Sequence, residues 1–331
     1  MTTFTKTAIL PVSADEAFAL VTEPERLRRW QAVTARIDLR AGGDFRWTVT
    51  PGNIAVGTVR EVEPGKRIVL GWGWEGGMSG LDPDASTVTI TLTPVGAGTE
   101  VTLVHEGLSE EQAVGHAEGW NHFFERLDKL VTTGDAGPDE WAAAPANLDE
   151  LTAAEATLAV LQPVLRGLTT EDRARQTPCA EFDGHALAEH LFDSIIGVGA
   201  MGGAEVVNPE EGSLENRVST MAGTAIDAWR ARGVEGMVSG PGGHELPATV
   251  AATILSIEFL LHAWDFAQTS GQQLVVSDEV VSWVSEHGSD IIADGRDRGA
   301  FTDEVEVPAD ASPLDKLAAF AGRRSLTAAV A

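Results

Sequence analysis

Up to about residue 133, apolar positions alternate with polar ones every second residue, the signature of half-buried strands. Residues 4–10 make the first such segment. Ser13 then stands as a helix N-cap, with Glu16 in the capping-box position ahead of Phe18 and Val21. Alternation returns over 35–39, 43–49, 55–62, 68–75, 87–94 and 100–106, with Pro-Gly or Gly-rich turns between several segments, which predicts an antiparallel meander. A change of period closes this half. Trp120, Phe123, Phe124, Leu127, Leu130 and Val131 fall on one face of a helix that begins near Ser109.

The run TTGDAGPDEWAAAPAN over 132–147 is rich in Gly, Pro, Ala and acid, so residues 134–147 read as a linker between units at 1–133 and 148–331. Beyond it the helical period dominates over 149–168, 185–198, 215–232, 248–270 and 278–292, with a shorter helix over 313–323. Four or five helices joined by loops form a bundle. A chain of 331 residues suits two such cores better than one.

The formal charge of −27 excludes a nucleic-acid partner, whose phosphates need basic contacts. One cysteine allows no internal disulfide and suits a reducing cytoplasm. The first residues, MTTFTKTAIL, have no basic, apolar and cleavable sequence of regions. The longest apolar stretch, 254–267, is interrupted by Glu258, His262 and Asp265 and is too short to span a bilayer. The expectation is a cytoplasmic protein without a membrane partner. With no tyrosine in the chain, no phenol can serve as a proton donor.

Trp30, Trp47, Trp72, Trp74 and Trp120 all lie in the first half, and Trp72 and Trp74 share one face of a strand. Indoles so placed either line a cavity for a flat apolar ligand or fill the space between sheet and helix. His105, His116 and His122 read as surface or core residues. The segments ILPVSADEAFALVTEPERLRRW, GGDFRW…GTVREVEPGKRIVLGW and TEVTLVHEGL…GWNHFFERLDKL resemble the START-like (SRPBCC) ligand-binding superfamily, in its branch of chaperone-ATPase-activator-like proteins. That resemblance implies an α+β helix-grip domain. It leaves function open, because the superfamily spans carriers, cyclases, hydrolases and antibiotic-binding proteins.

In ATILSIEFLLHAWDFAQ nearly every residue is apolar except Glu258, His262 and Asp265, which occupy one stripe of one helix. A buried carboxylate beside an imidazole is costly unless compensated, and a divalent cation would compensate both. A buried Glu–His hydrogen bond or a solvent-facing polar stripe would explain the same spacing. His190, near the apolar face of TPCAEFDGHALAEHLFDSIIGVG, would add a second imidazole from a facing helix and leave coordination positions open. Asp265 could orient His262 or serve as a cap or ion-pair partner. Cys179 and His185 read as a packed thiol and a surface residue.

The pattern TPC…H…ExxxHAWD, with the tail VPADASPLDKLAAFAGRRS, resembles the DinB-like metalloproteins of the mycothiol-dependent maleylpyruvate isomerase branch. That resemblance implies an all-α four-helix bundle with His190, Glu258 and His262 as metal ligands. Zinc is the first expectation, nickel or another divalent metal the alternative. It also implies a low-molecular-weight thiol, mycothiol or similar, as cosubstrate in transfer to, or isomerisation of, a small apolar electrophile. The alternative is a non-catalytic protein that binds or sequesters an apolar ligand, as in resistance or stress, and holds a structural metal. Its partners would be the apolar molecule and the thiol, with a homodimer also compatible. No catalytic residue is assigned.

Overall fold

The computed structural model describes residues 1–326, so the last five positions of the unit expected over 148–331 lie outside the described residues. The chain divides into two compact units, Met1–Asp139 and Glu140–Ala331.

The first unit opens with strand β1 (Thr2–Leu10), helix α1 (Ala14–Thr22) and the single turn α2 (Pro24–Leu27). Ser13 caps α1 by accepting from the Glu16 amide, but the Glu16 carboxylate completes no box and pairs with Arg26 instead. Six strands follow: β2 (Thr34–Ile37), β3 (Asp44–Thr50), β4 (Asn53–Glu63), β5 (Arg67–Trp74), β6 (Ser86–Val95) and β7 (Gly98–Leu108). All pairings are antiparallel, in the order β1-β7-β6-β5-β4-β3-β2. Helix α3 (Glu110–Thr133) starts at a full Ser109/Gln112 capping box and ends at Gly134, which adopts the left-handed conformation. Its buried face, Trp120, Phe123, Phe124, Leu127 and Leu130, joins the sheet's inner residues in one core. This is the helix-grip-like arrangement that the alternating pattern and closing helix predict.

Where β4 and β5 pair there is no room for a side chain at Gly57. A Cβ there would lie 1.8 Å from the Gly71 carbonyl oxygen, which is backbone and cannot turn aside. Gly57→Ala should therefore destabilise this unit by about 2–3 kcal/mol, read as a lower urea midpoint with unchanged slope.

The segment expected as a linker is fastened rather than free. Arg126 donates to the carbonyls of Gly137 (3.1 Å) and Pro138 (2.9 Å) while its Nε donates to Trp30 O (3.1 Å), and His122 pairs with Asp139 at 3.0 Å. Residues to Asp139 thus belong to the first unit. The short helix α4 (Glu140–Ala143) belongs to the second, where the Ser277 amide donates to Ala143 O. Glycine and proline there leave carbonyls bare, and the donors come from distant residues that a local pattern cannot show.

The second unit is helical: α5 (Glu150–Gly167), the turn α6 (Thr170–Arg173), α7 (Gly184–Met201), α8 (Leu214–Arg232), α9 (Ala248–Ser270), α10 (Asp278–Asp297) and α11 (Pro313–Phe320). Helices α5, α7, α8 and α9 close a ring in which each packs on two others; α10 lies on α9 and α5. Helix α9 is buried on nearly every side, as a central helix must be, and largely apolar apart from the Glu258, His262 and Asp265 stripe. The run over 254–267 is too short to span a bilayer, whereas the whole helix is long and apolar enough to do so; 83% of its apolar window is buried within the unit, which is reason enough for its composition. The glycine-rich stretch before it forms a small hairpin, β8 (Met237–Ser239) with β9 (Glu245–Pro247), which the sequence pattern did not predict.

Candidate functional site

Between the sheet and α3 lies a cavity of about 490 Å³, within the range of roughly 300–1,000 Å³ that holds small organic ligands. Trp72 and Trp74 from β5 and Trp120 from α3 line it, whereas Trp30 and Trp47 do not. Trp47 packs behind Trp72, with ring centroids 5.8 Å apart, and Trp30 meets Phe124 edge-on while its indole N–H donates to Leu20 O. Only three of the five indoles face the cavity.

One histidine, His116, completes its wall, and a second, His105, is fully buried against His116 and Trp120. His116 donates from Nδ1 to Gln112 O (2.7 Å) and accepts at Nε2 from the Trp74 indole (3.2 Å). His105 accepts at Nδ1 from Trp120 (3.2 Å), so its proton is on Nε2 and points to Ser86 Oγ (2.8 Å), which in turn donates to Trp72 O (2.9 Å). Both rings are kept neutral. Burial, with His116 beside it, pushes His105 down to about 3, and burial lowers His116 too. The sequence signal for His116 was its place four residues before Trp120, on the same face of α3.

At the mouth, the Gln112 carboxamide donates to the carbonyls of Ser79 and Gly80 (3.0 and 3.2 Å) while its oxygen accepts from the Ser109 amide (2.8 Å). One side chain thus holds both the first turn of α3 and the loop after β5.

In the second unit, α7 and α9 bring His190, Glu258 and His262 together, with one donor atom from each lying within 4.8 Å of the others. His190 Nε2 and His262 Nε2 approach the same Glu258 oxygen, Oε2, at 3.4 and 3.2 Å. The two rings stand perpendicular, 5.3 Å apart. Asp265, buried, lies 3.0 Å from His262 Nδ1, and Arg323 stands 3.7 Å from Asp265. The loop before α7 backs the cluster. Gln176 and Thr177 both bond Phe182 O, and the Phe182 ring stacks on His190 at 5.0 Å. His185 is exposed and Cys179 half-buried, its thiol raised by burial above the usual range.

The proton inventory of this cluster is decisive for its chemistry. Asp265 can only accept, so it fixes the His262 proton on Nδ1. A neutral His262 would then turn a bare Nε2 lone pair toward Glu258, also an acceptor. Something positive must reconcile them, either a second proton or a cation. With the proton, burial would lower His262, but Asp265 and Glu258 outweigh it and push the ring up to about 9. Burial likewise opposes ionisation of Glu258, yet the hydrogen bonds of both imidazoles hold its carboxyl well below the usual range. Two nitrogens and one oxygen so arranged could hold a metal ion. His190, with 38% of its side chain exposed, leaves a solvent-facing side.

Residues 11–132 match the family described as Activator of Hsp90 ATPase homolog 1-like protein. No match to a curated protein was found. Among solved structures, an AHSA1-like protein from Rhizobium etli is 35% identical over 44% of this chain and 92% of its own, with a TM-score of 0.36. CalU16 from Micromonospora echinospora is 30% identical over 40% of this chain and 77% of its own, with a TM-score of 0.34. DynU16, a protein of the dynemicin biosynthetic locus, is 23% identical over 40% of this chain, with a TM-score of 0.36, and the chain spans about half of its length, 48%. On the match over residues 11–132, the first unit of this chain belongs to the Activator of Hsp90 ATPase homolog 1-like family.

Proposed function

We propose that the first unit binds a small apolar molecule and that the second holds a divalent metal, zinc by preference, and handles a low-molecular-weight thiol such as mycothiol. The observation that carries the reading is the convergence of two imidazole nitrogens on one Glu258 oxygen, with Asp265 fixing the His262 proton on the far side. The packing of α5, α7, α8 and α9, and the loop ending in Phe182, support the DinB-like reading of this half. A metal there would lower the pKa of a coordinated thiol and make it a nucleophile at neutral pH. The chain's own residues do the remainder. Asp265 orients His262, Glu258 supplies the anionic ligand, and the exposed flank of His190 leaves room for an incoming sulfur.

A second reading, ligand capture without chemistry, is favoured by the cavity itself. His105 and His116 have both ring nitrogens engaged, so neither is free to move a proton. Cobalt substitution separates the two. Adding a low-molecular-weight thiol to the cobalt protein should produce a sulfur-to-cobalt charge-transfer band, which Glu258→Gln should weaken. Absence of the band, with apolar-ligand affinity unchanged after metal removal, would establish capture with a structural metal.

A further inference from the structure

The cavity of the first unit carries an unused hydrogen-bonding group. Gln31, just beyond α2, lines it and is only 3% exposed, yet its carboxamide has no hydrogen-bond partner among the described residues. Its polar atoms are not sealed within the packing but open into the cavity, where a ligand's polar group can meet them. The other polar groups of the inner wall are engaged. Trp74 and Trp120 donate to His116 and His105, and Gln112 is held at the mouth. The Trp72 indole nitrogen also lacks a partner, but it is closed off within the aromatic packing. The lining includes no lysine or arginine, its histidine is kept neutral by burial, and its one charged residue is Glu111 at the exposed rim.

We infer that Gln31 is the specificity-determining residue of this cavity, and that the ligand is a neutral, flat, fused-ring compound with one carbonyl or hydroxyl group, which pairs with the Gln31 carboxamide. The indole faces supply apolar, planar contact. The lone amide supplies orientation, and it can donate to a carbonyl or accept from a hydroxyl. An anionic ligand would enter without a counter-charge, at a cost the site does nothing to offset. The inference rests on the first unit's cavity being a ligand site, as proposed above.

Three pyrene probes test it on the full chain, with binding read by quenching of tryptophan fluorescence: acetylpyrene, ethylpyrene and pyrene carboxylate. The ketone should bind about tenfold more tightly than the ethyl compound, the difference expected of one hydrogen bond in a dry site. The carboxylate should bind at least about a hundredfold more weakly than the ketone. Gln31→Leu, and Gln31→Met as the unbranched replacement closer in shape, should bring the ketone down to the ethyl compound while leaving the ethyl affinity unchanged. A ketone preference that survives both substitutions in folded protein would overturn the role of Gln31. Equal binding of the carboxylate would overturn the selection for a neutral ligand. If none of the three binds, the cavity reading falls and the inference with it.

Discussion

Alanine in place of Glu258 is expected to strip the second unit of nearly all bound divalent metal, measured on protein purified without a histidine tag. Removing it leaves two neutral nitrogens and no anion to balance a dication. His262→Ala and His190→Ala should do the same, His190 despite its distance along the chain, because its Nε2 stands 3.4 Å from the shared carboxylate oxygen. His185→Ala, on the exposed side of α7, should keep full occupancy. Asp265→Asn should retain metal more weakly, by about 10- to 100-fold, since the amide no longer compels the His262 proton onto Nδ1. Full metal content in the His190 variant would dissolve the three-ligand set.

Acidification is expected to destabilise the first unit through one buried ring. Folded His105 stays neutral down to about pH 3, whereas in the unfolded chain it takes up a proton near its ordinary value of 6.5. Between those values the unfolded state holds a proton that the folded state refuses, so stability falls as pH falls. By pH 4 the loss from this residue alone should be about 3 kcal/mol, at about 1.4 kcal/mol per pH unit. His105→Gln keeps a donor for Ser86 and an acceptor for Trp120 but does not titrate. Its stability, from urea midpoints at pH 7 and pH 4, should fall by that much less than the parent's. Parallel losses in the two proteins would mean that His105 is protonated in place.

The strands were legible because alternation reflects a sheet with one buried face, as in β7, where Val101 and Leu103 point into the core and Thr102 does not. The long helices were legible for the corresponding reason at a period of 3.6. Short pieces were not. Helix α6 and the β8–β9 hairpin are each too brief to show a period, and the hairpin's glycines resemble any loop. Tryptophan is apolar whether it faces a void or a neighbouring ring, so nothing local could tell Trp72 from Trp47. Gln31 was invisible for a related reason: a glutamine after a tryptophan looks like surface until the fold encloses it. Glu258, His262 and Asp265 stood out because charge in an apolar run has to be compensated. The approach of His190 was legible only through the resemblance of its segments to a known family, since periodicity says nothing about which helices face each other.

The double duty of Gln112 sets a rate as well as a shape. Its two ends hold the first turn of α3 and the loop over the cavity mouth, so lifting that loop means releasing one side chain and loosening one turn. Sheet pairing need not change. The loop is then free to lift only as fast as the helix end frays, on the order of nanoseconds to microseconds.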